Sequence, residues 1–193
     1  MCHPPRVTHR PIVSAAILTA AALAAAVALA SSHHNSGGVE DAEGRYSVVF
    51  PLEEARPNPR LTPGAANPAV TQANIRETIC ARGYSKRIRP PRNYTERLKR
   101  QQVREYRYTD RRLRDFEEDH LVSLGIGGSP TDPRNLWPEP RHVIGGWGSD
   151  AKDRLESRLH TAVCRGELPL AQAQRAMAID WIAAYKRYVG AAP

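Results

Sequence analysis

Apolar positions cluster first between Pro11 and Ala30, an uncharged stretch dominated by Ala, Val, Ile and Leu. From Thr71 onward the pattern becomes periodic. Ala73, Ile75 and Ile79 predict a short helix from Thr71 to about Gly83. Pro90-Pro91 breaks the chain, and Leu98 with Val103 predicts a second helix from Thr95 to about Tyr106. Phe116 to Leu124 reads as a strand, followed by the glycine-rich turn Gly125–Gly128, a turn bracketed by Pro130 and Pro133, and the short apolar piece Leu136-Trp137. Residues 141–148 read as a loop. Leu155, Leu159, Ala162 and Val163 fall at i, i+4, i+7 and i+8, which predicts a helix from Ser149 to a stop at Gly166. Pro169 opens a last helix whose core face carries Leu170, Ala173, Met177, Trp181, Ala184 and Tyr188. The expectation is a small α+β domain, predominantly helical.

The first apolar run has a different meaning. Arg6 and Arg10 precede it, it closes on Ala28-Leu29-Ala30, and polar Ser31-Ser32-His33-His34 follows. A positive start, an apolar middle and an A-x-A exit describe a secretory signal over residues 1–30, with an uncleaved membrane anchor as the alternative. Export implies a secreted or cell-envelope protein, with a membrane involved only if the segment is uncleaved. Residues 31–70 open polar and Gly-rich at Ser31–Gly38, continue with Pro51, Pro57, Pro59, Pro63 and Pro68, and read as a Pro/Gly-rich disordered linker whose one apolar patch, Tyr46–Phe50, reads as a short strand or a docking segment. The folded domain is then expected over 71–190, as a monomer. Export also removes Cys2, leaving Cys80 and Cys164 as an even pair in an oxidising compartment. A disulfide between them would contribute on the order of 4 kcal/mol. Two buried free thiols, or a zinc site using His160 and Cys164, are the alternatives.

Composition enters through charge. The 193 residues carry 41% apolar and 25% charged side chains, a globular balance, and a net charge of +8. This excludes collagen-like, coiled-coil and polytopic membrane classes, and three Cys are too few for a disulfide-dense miniprotein. Between Ala81 and Asp115 thirteen Lys/Arg stand against four Asp/Glu, a local +9 that exceeds the whole chain's net charge. Tyr84, Tyr94, Tyr106 and Tyr108 are interleaved. Arginine contacts phosphate bidentately and tyrosine offers a stacking face, so the block predicts a nucleic-acid partner, with DNA expected. Arg97, Lys99, Arg100 and Arg104 are its candidate contacts, although Arg97, Arg100 and Arg104 share one helix face and Lys99 lies off it.

The chemistry-bearing stretch is Asp115–Gly128 followed by Asn135-Leu136-Trp137. A His directly after an Asp at a strand end provides a base near neutral pH beside a carboxylate suited to a cation, the two needs of phosphodiester hydrolysis. Asn135, at the start of a second strand, is placed to orient the loop carrying His120. The helix with Lys152, Asp153 and Glu156 offers a further ligand. This order resembles the HNH, or His-Me finger, nucleases, and more narrowly a group of exported bacterial HNH-like proteins with E-E-D-H-L (Glu117–Leu121), G-G-S-P-x-D-P-x-N-L-W-P-E-P (Gly127–Pro140) and K-D-x-x-E-x-x-L-H (Lys152–His160). The resemblance spans about Thr71 to Val189. It implies a ββα-metal core over about 115–160 flanked by helices, with His120 as general base, Asn135 as orienting residue, Asp119 as metal ligand and Mg2+ or Mn2+ as cofactor. The chain departs from the pattern at the start of the helix, where no His or Asn stands; Asp153 on the first turn and Glu156 on the same face are the substitutes, and His142 in the Gly-rich loop is a further candidate. Ser123 replaces the family's proline. The expected function is a metal-dependent endonuclease. The competing readings are a degenerate, non-cutting module that binds DNA or an anionic envelope polymer, and a structural envelope domain.

Overall fold

A computed structural model of the chain describes residues 38–40 and 46–193, together with Met1. The expected secretory signal with its A-x-A exit, and the first part of the expected linker, lie outside the described residues. Among the described residues no helix is long and apolar enough to cross a membrane.

The architecture is α+β, with helices outweighing strands. Two short antiparallel pairs are present: β1 (Gly38–Glu40) with β2 (Tyr46–Val48), and β3 (Phe116–His120) with β4 (Leu136–Pro140). The helices are α1 (Tyr84–Ile88), α2 (Arg92–Glu105), α3 (Ser149–Cys164) and α4 (Leu170–Tyr188). β3 and β4 pair from Phe116 opposite Pro140 to His120 opposite Leu136. Leu121 N–H donates to Asn135 O and Arg141 N–H to Asp115 O, at 2.8 and 2.9 Å, so the hydrogen-bonded pairs fall at odd positions. Pro138 and Pro140 therefore turn their missing N–H groups away from the ladder, where a proline costs it nothing. The outward Leu136 carbonyl accepts from Gln102 on α2 at 2.9 Å and from Thr62 Oγ1 at 3.1 Å. These contacts dock α2 against the sheet.

α3 and α4 occupy the ranges that the apolar period predicts, and pack on each other through Leu155, Leu159, Ala173, Met177 and Trp181, all nearly or fully buried. Inside α4 the backbone leaves helical geometry at Asp180, whose Oδ1 accepts from the N–H groups of Ile182 and Ala183 at 3.0 and 3.1 Å and restarts the helix.

Three expectations are corrected. The strand from Phe116 stops at His120; the apolar run through Leu124 is buried as loop and 3-10 turn. Thr71–Cys80 forms a 3-10 turn at Gln72–Asn74 and further turns, not a helix, because Asn74 and Thr78 side chains bond backbone groups that a helix would use: Thr71 N–H to Asn74 Oδ1 at 2.8 Å, and Thr78 Oγ1 to Asn74 O at 2.7 Å. The linker reading fails from residue 46 onward. Phe50, at 1% exposure, sits with Phe116 and Tyr108 in an aromatic cluster, its two ring centroids 4.9 and 6.1 Å away. Ala55 O accepts from Trp181 Nε1 at 2.7 Å. Prolines there prevent regular structure without preventing packing.

Cys80 and Cys164 form a disulfide with Cα atoms 5.7 Å apart, fastening the segment before α1 to the end of α3. His160 Nε2 lies 3.1 Å from Ile79 O and supports the same junction. With both sulfurs bonded to each other, neither free thiols nor a zinc thiolate at Cys164 remains.

Candidate active site

β3 delivers Asp119 and His120 from one strand end in different directions, as successive strand residues must. His120 is 2% exposed, and its Nε2 lies 3.0 Å from Pro130 O. A carbonyl only accepts, so Nε2 carries the hydrogen and Nδ1 the lone pair in the neutral ring. Burial lowers the His120 pKa below its ordinary value, against the opposing pull of Asp119, which favours that neutral form.

Asn135, fully buried, holds the loop between His120 and β4. Its Oδ1 accepts from Val122 N–H at 3.0 Å and Ala65 N–H at 3.2 Å, and its Nδ2 donates to Val122 O at 3.0 Å and Ser129 O at 2.9 Å. Gly128 lies beneath this staple; a Cβ there would stand 1.7 Å from Val122 O, so no larger residue fits. Asn135 thus fixes the stretch ending at Pro130, and through it the imidazole.

Asp119 turns toward α3. There, ligand atoms of Asp119, Asp153 and Glu156 lie within 4.8 Å of one another. Helical spacing puts Asp153 and Glu156 on adjacent turns of one face, as the sequence suggests. Oxygen donors at this spacing suit a hard divalent ion such as Mg2+ or Mn2+. His142 is not part of this group; its carbonyl accepts from Phe50 N–H at 2.8 Å, and it belongs to the loop.

Two residues quoted in the motif without a role prove central. Lys152 has no exposure, and its ammonium donates to Asp119 Oδ2 and Glu156 Oε1 and lies 3.4 Å from Glu139 Oε2. Burial opposes the Lys152 charge, but Asp119, Glu139 and Glu156 outweigh it and hold its pKa well above the ordinary value. Burial pushes the Asp119 carboxyl up, yet Lys152 and His120 hold it at about 2. Burial raises Glu156 to about 7 against the pull of Lys152. Glu139 is raised well above its ordinary value by burial, and Asp153 is raised by burial and by Asp119. A signal for Glu139 was available: opposite Glu117 in the register, it shares the face of Glu117 and Asp119.

Glu117 is partly exposed beside Arg141 and Ser149. Its Oε1 accepts from Ser149 Oγ at 3.1 Å and from Arg141. Glu118 faces α2, and burial raises it to about 9.

On α2, Arg97, Arg100 and Arg104 are exposed and line an open depression of about 470 Å3 with Gln101 and Glu105. Arg97 lies over the Tyr94 ring, 5.9 Å from its centroid. Lys99 is a correction. It is 7% exposed, with Nζ 3.4 Å from both Glu96 Oε1 and Phe116 O, because its helix phase points it at β3 rather than outward.

Compared with known proteins, the chain matches no family model, no curated protein and no solved structure.

Proposed function

We propose that the protein is an exported, monomeric, metal-dependent endonuclease of the HNH type, cutting phosphodiester bonds of nucleic acid, with DNA as the expected substrate. The observation that carries this reading is the pairing at the end of β3. A neutral imidazole, held through Nε2 on a backbone carbonyl, adjoins a carboxylate that belongs to a three-carboxylate group at metal-ligand spacing. Strand, loop, strand and helix follow in the order of a ββα-metal core. Asp119, Asp153 and Glu156 would hold one Mg2+ or Mn2+, which supplies stabilisation of charge on the phosphate. His120 Nδ1 takes the proton from the attacking water, and Asn135 keeps the ring aimed by pinning its loop. Arg97, Arg100 and Arg104 grip the backbone without reading sequence. The Cys80–Cys164 disulfide supports an oxidising compartment.

One observation favours a second reading. The His120 ring is 2% exposed, and Lys152 already answers Asp119 and Glu156, as a non-catalytic module binding nucleic acid or an anionic envelope polymer would have it. Digestion of supercoiled plasmid by the 71–190 domain extended to residue 46 separates the two. The nuclease reading expects cleavage with Mg2+ or Mn2+, none in EDTA, and loss in Asp119→Asn. Binding without cleavage under every metal condition would establish the module instead.

A further inference from the structure

Lys152 is the residue whose position the proposed chemistry leaves unexplained. A fully buried lysine is rare unless paired, and this one is surrounded by three carboxylates on two strands and its own helix. Its ammonium takes one oxygen each from Asp119 and Glu156, the same side chains that stand with Asp153 at ligand spacing. The side chains of Asp119 and Glu156 are each 20% exposed, so the pair faces Lys152 on one side and solvent on the other. Behind the ammonium, Glu139 is 1% exposed, with Oε2 3.4 Å from Lys152 Nζ and the Asp119 carboxyl as its other polar neighbour. Removing the lysine would leave these carboxylates facing one another with no counter-charge in a region of low dielectric.

We infer that Lys152 is a positioning residue that serves as the site's resident cation, holding Asp119 and Glu156 at ligand spacing while the divalent ion is away. The inference rests on the reading that an ion binds at Asp119, Asp153 and Glu156. It explains how so many carboxylates are tolerated at the junction of β3, β4 and α3 without the fold depending on metal. An ion bound from the solvent side would find Asp119 and Glu156 already oriented, so its loss would not unfold the site. The ammonium also repels the ion, so occupancy follows the metal concentration outside rather than becoming permanent.

Thermal melting of the disulfide-intact protein in EDTA and in Mn2+ tests this, with wild type beside Lys152→Met and the double variant Lys152→Met/Glu156→Gln. Wild type should stay folded in EDTA. Lys152→Met should lose about 10 °C in EDTA, as expected for a buried charge group stripped of its partner. Mn2+ should return most of that loss, a larger gain than in wild type. The double variant, with one carboxylate neutralised, should melt well above Lys152→Met in EDTA, which also covers the case in which the single variant fails to fold. Equal melting of the single and double variants in EDTA, with no extra gain from Mn2+, would reduce Lys152 to a packing residue and overturn the inference. If Mn2+ moves no protein while the double variant still recovers in EDTA, the counter-charge role stands and the metal reading falls.

Discussion

Lys152 and the arginines of α2 carry the same charge in opposite surroundings. Lys152 is sealed between β3, β4 and α3 against Asp119, Glu139 and Glu156. Arg97, Arg100 and Arg104 stand in solvent on a helix whose inner face is committed to the sheet through Leu98, Gln102 and Val103. In low dielectric each charge depends on its partners, and geometry and protonation become inseparable. In solvent each charge is screened and worth little to stability, yet it still attracts a polyanion over several ångströms. The first arrangement suits chemistry at one point, and the second suits a grip along a backbone. Changes that hold the buried region should therefore move stability and leave the arginine row alone.

The largest such effect is expected from the disulfide. Cys80→Ser/Cys164→Ser frees a loop of 84 residues, and chemical denaturation should show a loss of about 4 kcal/mol. Arg97→Ala/Arg104→Ala should unfold with wild type in the same titration. An unchanged midpoint in the cysteine variant would mean that packing alone holds the segment before α1 to α3. Next comes Asn135. Asn135→Ala leaves two backbone N–H groups and two carbonyls without their side-chain partner, at a cost of about 3 kcal/mol. Asn135→Asp should fare no better, since a carboxylate would face the carbonyls of Val122 and Ser129; recovery in the Asp variant would contradict the staple.

The smallest effect concerns Asp115, which is fully buried near Asp110, with Oδ2 3.0 Å from Arg112 Nε. Burial and Asp110 raise the Asp115 pKa, while its partners lower that of Asp110 despite burial. A raised folded value means that the stability Asp115 contributes is present at low pH and lost as pH rises through that value; Asp110 contributes in the opposite sense, losing stability as pH falls. Asp115→Asn keeps a hydrogen-bond donor that cannot ionise. Its stability should therefore fall less than that of wild type as pH rises above the ordinary carboxylate range, by about 0.5 kcal/mol. A steeper fall in the variant would reverse the assignment of the shared proton.

Legibility in the sequence tracks how local the determining physics is. The faces of α3 and α4 follow from a 3.6-residue period and lie where it places them. Asp153 and Glu156 share a helix face by spacing alone, but their approach to Asp119 within 4.8 Å depends on how α3 packs beside β3. Lys99 shows which of two sequence signals wins: charge counting put it among the contacts, helix phase put it off their face, and the phase is right, since Lys99 is buried toward β3. Ala55 and Val70 were hidden by prolines, which signal irregular backbone and not exposure, whereas the apolar run that ends at Phe50 marked a docking segment and Phe50 is buried. Lys152 and Glu139 needed the packing of α3 against β3 and β4, a long-range fact, before their charges could be seen to meet.

The contrast between the two regions is tested most directly by single-turnover cleavage of a labelled duplex with Mn2+, measured alongside the salt dependence of binding. His120→Ala should cut at least 100-fold more slowly while the log–log salt slope stays that of wild type. Arg97→Ala/Arg104→Ala should flatten the slope by about 2, at about 0.9 per phosphate contact, while cleavage at saturating protein remains near wild type. A His120→Ala protein that still cuts, or a slope that ignores Arg97 and Arg104, would contradict the division of labour between the buried site and the exposed grip.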